Sequence, residues 1–154
     1  MHKPKIYLET TIFNYYFDTE RDAHPATVKL FEQIKAGKYE AYTSLYVTSE
    51  LEEAQEPKRS KMLDLIPQYK IITLDVSSVA EHLAKIYVTE NIVPAKFSYD
   101  GLHIAVATIN NLDFICSLNF KHINKFKTKE NTNIVNKREG YSKINIVSPM
   151  EVVY

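Results

Sequence analysis

The chain alternates short runs rich in β-branched and aromatic residues with longer stretches in which apolar residues recur every three or four positions. Five runs indicate buried strands, at positions 5–8, 40–43, 70–74, 113–116 and 143–147. Helical spacing lies between them, at 11–17, 26–36, 45–54, 79–90 and 98–110, and a further helix is expected after Pro57. This alternation predicts a three-layer α/β fold around a mostly parallel sheet of about five strands.

Between positions 120 and 142 the pattern is weak, and we expect a loop over 127–136. No repeat or low-complexity linker divides the chain. Its 154 residues are enough for one domain with a sizeable core, so we expect a single domain over 1–154.

Charge is balanced overall but unevenly distributed along the chain. Nineteen basic residues match nineteen acidic ones, so net charge says nothing about a nucleic-acid partner. From Asn119 to Asn145, however, seven basic residues stand against two acidic ones. Such a segment could steer a phosphate backbone, or it could be a solvated loop rich in lysine.

The single cysteine, Cys116, lies in an apolar run, which excludes an internal disulfide and gives no sign of a zinc cluster. The sequence contains no window of about 18 apolar residues, so no membrane span is predicted. The start of the chain does not resemble a signal peptide, because no long apolar stretch follows its charges. We therefore expect a protein of the reducing cytoplasm with no membrane partner.

Three carboxylates and an amide lie where predicted strands meet the segments that follow them. Glu9 follows the first strand, Asn119 follows the fourth, and Glu50 and Asp100 lie in helices beyond a strand or a loop. The carboxyl ends of parallel strands share one edge of the sheet, where binding sites form. Oxygen ligands suit a hard cation such as Mg²⁺, which can activate water against a phosphodiester. Convergence of these groups would predict a divalent-metal site.

Each acidic residue also has an ordinary structural explanation. Glu9 could lie in the first turn of a helix, where the helix dipole favours a carboxylate. Glu50 has glutamate neighbours and could be a solvated helical residue, although the apolar residues around it place it near a buried face. Asp100 could cap a helix.

The motifs that carry these residues resemble the ordered motifs of PIN domains, especially those of bacterial stand-alone members such as VapC-type toxins. They are Ile6-Tyr7-Leu8-Glu9-Thr10-Thr11, Ser44 to Leu51, Asp100-Gly101-Leu102-His103-Ile104-Ala105 and Cys116-Ser117-Leu118-Asn119-Phe120-Lys121-His122. The resemblance covers most of the chain. It implies a Mg²⁺- or Mn²⁺-dependent endoribonuclease, often dimeric, and a possible antitoxin protein as partner.

Carried over position by position, the resemblance makes Glu9, Glu50 and Asp100 the metal-binding acids and places Asn119 beside them. Thr10 and Ser117 match supporting hydroxyl positions. Two departures stand out, because the first position is usually Asp and the fourth is often Asp. The extra methylene of Glu9 shifts its carboxylate by about 1.5 Å relative to that of an aspartate. The neutral Asn119 makes the site less negative than one with a fourth carboxylate.

The neighbouring basic groups are candidate substrate contacts, with alternatives left open. Lys121 and His122 would hold the RNA backbone. His103 lies one helical turn after Asp100, so it could touch a carboxylate or a phosphate, or it could be a packed, hydrogen-bonded histidine. The aromatic residues between Tyr7 and Phe17 could stack on bases, but a core or dimer seam is the commoner role of such a cluster.

The sequence supports two candidate functions. The first is a metal-dependent ribonuclease, possibly the toxin of a toxin–antitoxin pair. The second is a weakly active or inactive scaffold that binds RNA or a protein, motivated by Glu9 and Asn119. An unrelated response-regulator-like fold also gathers acids at strand ends, but the chain lacks a lysine after a late strand in the expected place.

Overall fold

The structure, a computed structural model, describes residues 2–154. Its centre is a five-stranded sheet in which every pairing is parallel and the spatial order is β3-β2-β1-β4-β5. The strands are β1 (Lys5–Leu8), β2 (Glu40–Ser44), β3 (Ile72–Leu74), β4 (Phe114–Cys116) and β5 (Asn145–Val147). Helices cover both faces, which confirms the predicted three-layer α/β/α architecture.

Eight helices and one short 3-10 turn connect and cover the strands within residues 2–154. They are α1 (Thr10–Phe17), α2 (His24–Lys35), α3 (Leu45–Glu52), α4 (Lys58–Gln68), α5 (Ser78–Thr89), α6 (Ser98–Ile109), α7 (Phe126–Arg138), α8 (Pro149–Val153) and the turn Ala95–Phe97. The predicted strands and the five delimited helices agree with these bounds within two residues. The turn and α8 were not predicted, because both are very short.

The strand β1 is the most deeply buried strand because it lies at the centre of the sheet. Ile6, Tyr7 and Leu8 are fully inaccessible to solvent, since β1 has a strand on each side and helices on both faces. This is the continuous apolar run expected of a parallel strand. The aromatic residues from Tyr7 to Phe17 also belong to the core or pack against it, so the aromatic cluster of the sequence is a packing element.

The prediction of a loop over 127–136 is wrong, because this segment lies inside α7. Its buried positions include Thr128, Thr132 and Asn136, which recur every four residues. The Asn136 amide donates to the Thr108 hydroxyl and accepts from the Tyr87 hydroxyl. Polar side chains form this buried face in place of apolar ones, so hydrophobic periodicity did not reveal the helix.

The strand order places a topological switch between β1 and β4. Connections from β1 run outward to β2 and β3, whereas β4 and β5 add to the opposite side. Sites in open α/β sheets form beyond the carboxyl ends of strands at such a point. The order also differs from the 2-1-3-4-5 order of response-regulator-like folds, which excludes that alternative. None of the helices between residues 2 and 154 combines the length and apolar character needed to cross a bilayer.

Candidate active site

Three of the four polar residues singled out from the sequence lie on segments that follow the carboxyl ends of three adjacent strands, and the fourth, Asp100, lies on the helix that precedes β4. Glu9 directly follows β1 and its backbone amide donates to the Cys116 carbonyl at the end of β4. Asn119 comes three residues after β4, and Glu50 lies in α3, which begins at the end of β2. Asp100 occupies the first turn of α6. Side-chain hydrogen bonds connect these residues in two networks.

The first network holds Glu9. The hydroxyls of Thr11 and Ser117 both donate to Glu9 Oε1, at 2.6 and 2.7 Å. Glu9 is only 4% exposed. Burial raises the pKa of Glu9, and the charge of His103 together with the two hydroxyls offsets part of that rise. The surroundings of Glu9 therefore disfavour its charged form relative to water.

The same network reaches Asp100 through the segment after β4. The backbone N–H of Asn119 donates to Ser117 Oγ at 3.0 Å, and the Asn119 side chain donates to Asp100 Oδ1 at 3.3 Å. His122 Nδ1 lies 3.0 Å from Asp100 Oδ2. Burial raises the pKa of Asp100, although His103, His122 and Asn119 counteract it. Asn119 thus bridges two of the acidic residues.

The second network holds Glu50. Thr10 Oγ1 donates to Glu50 Oε1 at 2.6 Å, and His103 Nε2 lies 2.9 Å from the same oxygen. Burial alone would raise the pKa of Glu50, but His103 and Thr10 lower it below its ordinary value. An ionised carboxylate only accepts hydrogen bonds, so Nε2 of His103 carries the proton in this contact.

His103 is anchored from behind by the central strand. Its Nδ1 lies 2.7 Å from the Tyr7 hydroxyl, which in turn lies 2.8 Å from Ser44 Oγ. Burial raises the pKa of Tyr7, so the phenol stays protonated. The His103 ring is 2% exposed, with a protein partner at each nitrogen. This arrangement corresponds to the packed, hydrogen-bonded alternative and places no free ring nitrogen of His103 toward a substrate.

The other predicted substrate contacts differ in their environment. His122 is largely buried and contacts Asp100, so it joins the acidic network directly. Lys121 is exposed beside it. Thr10 donates to Glu50, and Ser117 donates to Glu9.

Several groups of the networks were not predicted. Thr11, Tyr7 and Ser44 are common residue types, and nothing in the sequence separates their structural and functional uses. The sequence allowed His103 to touch a carboxylate without indicating which one; His103 bonds Glu50, and Asp100 bonds His122. The pairing of His103 with Glu50 depends on how α3 and α6 approach each other, which the sequence pattern does not specify.

The donor set has the right chemistry for a hard divalent cation. Carboxylate oxygens from three segments and the nearby Asn119 amide are the ligand types that Mg²⁺ and Mn²⁺ prefer. The hydroxyl and imidazole contacts of Glu9 and Glu50 fall on Oε1 of each residue. In the described part of the chain, however, no three acidic, histidine or cysteine side chains stand close enough together to hold a metal. Metal binding would require these side chains to stand closer together than they do in this structure.

Comparisons with known proteins give matches at the level of structure. No protein-family model matches the sequence, and no curated protein matches it either. VapBC2 from Rickettsia felis, solved with a promoter DNA fragment, is 12% identical, with 94% of this chain and 98% of that chain covered and a TM-score of 0.57.

Two further solved structures give similar values. VapC20 from Mycobacterium tuberculosis, described as a toxin that cleaves the sarcin–ricin loop, is 12% identical over 90% of this chain and 97% of its own, with a TM-score of 0.55. DNA-bound VapBC from Salmonella typhimurium is 12% identical over 95% and 98%, with a TM-score of 0.57. Identity this low is informative about the fold alone. The chain therefore has the PIN-like fold of VapC proteins.

Proposed function

We propose that this protein is a metal-dependent endoribonuclease that hydrolyses RNA phosphodiester bonds at the edge of its sheet. The observation that carries the proposal is the joining of Glu9, Asp100 and Asn119 in one hydrogen-bond network beside Glu50, at the switch point of the fold. The fold shared with a sarcin–ricin-loop-cleaving toxin supports RNA as the substrate.

In this proposal Glu9, Glu50 and Asp100 would hold Mg²⁺ or Mn²⁺, which supplies a water of lowered pKa and neutralises phosphate charge. Ser117 and Thr11 hold Glu9 in place, and Thr10 and His103 hold Glu50. The side-chain amide of Asn119 positions Asp100. The exposed Lys121 binds the RNA backbone outside the acidic cluster.

We further propose a biological setting from the same comparisons. The structural neighbours include two VapBC complexes. Their fold supports a role as the toxin of a type II toxin–antitoxin pair, with an antitoxin protein as partner. A homodimeric state, implied by the resemblance of the sequence motifs, and action in the cytoplasm belong to the same proposal. Co-expression with the product of a small adjacent gene, followed by co-purification, tests the partner.

The proposed activity is tested by incubating a panel of structured RNAs, including tRNA, with the protein in Mn²⁺ or in EDTA. We expect cleavage in Mn²⁺ only, and we expect Asp100→Asn to abolish it with an unchanged circular dichroism spectrum. Cleavage that persists in Asp100→Asn at the wild-type rate would reject the site.

A scaffold that binds RNA or a protein without cleaving is the second candidate. It is favoured by one specific observation, namely that no three potential ligands within residues 2–154 converge and that both oxygens of Asp100 already have protein partners. Calorimetric titration with Mn²⁺ separates the two candidates. Binding that is lost in Glu50→Gln supports the nuclease, whereas no binding by the wild type supports the scaffold.

A further inference from the structure

Two aromatic stacks border the acidic networks, and each ends in an exposed ring. Phe97 stacks on His122 with ring centroids 4.2 Å apart and 29° between the planes. Tyr99 stacks on Tyr46 at 5.1 Å and 23°. Phe97 and Tyr99 are 38% and 57% exposed. Large aromatic rings held in fixed orientation yet open to solvent provide ready surfaces for a further planar ring.

The inner ring of each stack connects to the acidic residues. His122 contacts Asp100 through Nδ1. Tyr46 meets the His103 ring edge-on at 5.4 Å, and His103 contacts Glu50. Burial raises the pKa of Tyr46, and the charges of Glu50 and Asp100 add to that rise. One residue, His122, thus separates the Phe97 ring from Asp100, and two residues, Tyr46 and His103, separate the Tyr99 ring from Glu50.

The surroundings of the exposed rings suit a nucleotide. Lys96 Nζ lies over the Phe97 ring, 5.8 Å from its centroid, and this flexible side chain would turn aside for a base and bring its charge to the adjoining phosphate. Tyr99 lines a groove of about 460 Å³ between α5 and α6, whose apolar walls include Ala84, Val88 and Leu102. A flat aromatic ligand entering this groove would meet both a stacking face and an apolar floor.

We propose that Phe97 and Tyr99 are base-stacking platforms that select single-stranded RNA, each taking one unpaired base beside the phosphate held at the acidic site. This inference rests on the proposed function, since it names the substrate class of the same site. Bases in a duplex are already stacked on their neighbours, so only unpaired bases can turn onto protein rings. Paired RNA would reach the site without using either platform.

The test measures binding in EDTA, so that cleavage plays no part. The probe is a short single-stranded oligoribonucleotide carrying a fluorescent purine analogue, compared with the same sequence in a duplex. We expect the wild type to bind the single strand more tightly and to quench the analogue. Phe97→Ala and Tyr99→Ala should each weaken single-strand binding by roughly 5- to 150-fold, the equivalent of about 1–3 kcal/mol per stacked base.

Matched variants separate stacking from folding. Tyr99→Phe keeps the ring and should bind as the wild type does, whereas Phe97→Leu keeps an apolar side chain and should lose affinity as Phe97→Ala does. Tyr154→Ala removes an aromatic residue that is 79% exposed on another part of the surface and should change nothing. Thermal unfolding of each variant identifies any loss that comes from instability.

The outcomes also distinguish this inference from the proposed function. Single-strand binding that depends on both rings, without cleavage in Mn²⁺, would support the platforms and reject the nuclease. Mn²⁺-dependent cleavage that is unaffected by Phe97→Ala and Tyr99→Ala would support the nuclease and overturn the platforms. Equal affinity for single-stranded and duplex RNA, retention of affinity in Phe97→Leu, or binding of a protein partner but no RNA would also overturn them.

Discussion

His103 and Glu50 form a 2.9 Å contact between Nε2 and Oε1, in which a histidine from α6 fixes the acidic residue of α3. The contact continues through the imidazole to Tyr7 on the central strand. His103 therefore ties the position of a proposed metal-binding group to the most buried strand of the sheet. A side chain that holds another in this way acts as a positioning residue.

We predict that His103→Ala lowers the free energy of unfolding by about 2 kcal/mol, because it takes one of two hydrogen-bond partners from the buried Tyr7 hydroxyl and from Glu50. Urea denaturation measures the change. His82→Ala is the matched control, since His82 is exposed on α5 and its loss should cost less than about 0.5 kcal/mol. Equal stabilities of the two variants would contradict the positioning role.

The pKa of Glu9 is raised and that of Glu50 is lowered, which predicts opposite dependences of stability on pH for the two residues. The folded-state pKa of Glu9 is raised above the ordinary value of 4.5, so its contribution is present below that value and is lost as the pH rises. The folded-state pKa of Glu50 is lowered, so its contribution is present above 4.5 and is lost as the pH falls through the folded-state value.

Replacing each acidic residue by glutamine tests the predicted direction of its contribution to folding stability. Glu9→Gln should be more stable than the wild type at neutral pH, by roughly 1 kcal/mol for removal of an incompletely compensated buried charge. Glu50→Gln should be less stable there, and the difference should shrink in acid. Unfolding free energies from about pH 2 to about pH 8 supply the measurement. A change of the same sign in both variants at neutral pH would refute the assignment.

The strands and most helices were predictable because apolar periodicity specifies them. The continuous apolar run Ile6-Tyr7-Leu8 is typical of a strand buried on both faces. The end of this strand places Glu9 at the edge of the sheet. The helix α7 escaped prediction because hydrogen bonds of Thr128 and Asn136 take the place of apolar packing. Periodicity carries no information about such partners.

The candidate site was predictable to a smaller extent. Residue order indicated which elements carry acids, and parallel topology brings the ends of those elements to one edge. Which histidine meets which acid depends on side-chain conformation and on the approach of helices that are distant in sequence. The pairing of His122 with Asp100 and the exposed stacks at Phe97 and Tyr99 belong to this second kind of feature.

The polar buried face of α7 leads to a prediction about stability. Asn136→Ala should lower the free energy of unfolding by about 2–3 kcal/mol, because it leaves the Tyr87 and Thr108 hydroxyls without this partner in the interior. Ile134→Ala is the control on the same helix, since Ile134 is largely exposed. If thermal and urea unfolding gave similar values for both variants, hydrogen bonding would not be what holds α7 in place.

The central claim is that the acidic edge of the sheet cleaves RNA with a divalent cation, and the most direct measurement is the single-turnover cleavage rate of a single-stranded RNA as Mn²⁺ is titrated. We predict saturable cleavage by the wild type, none in EDTA and a loss of more than about 100-fold in Asp100→Asn, because removal of a side chain that only positions a metal ligand already costs about 10- to 100-fold. Cleavage that is independent of Mn²⁺, or equal in the two proteins, would contradict the account.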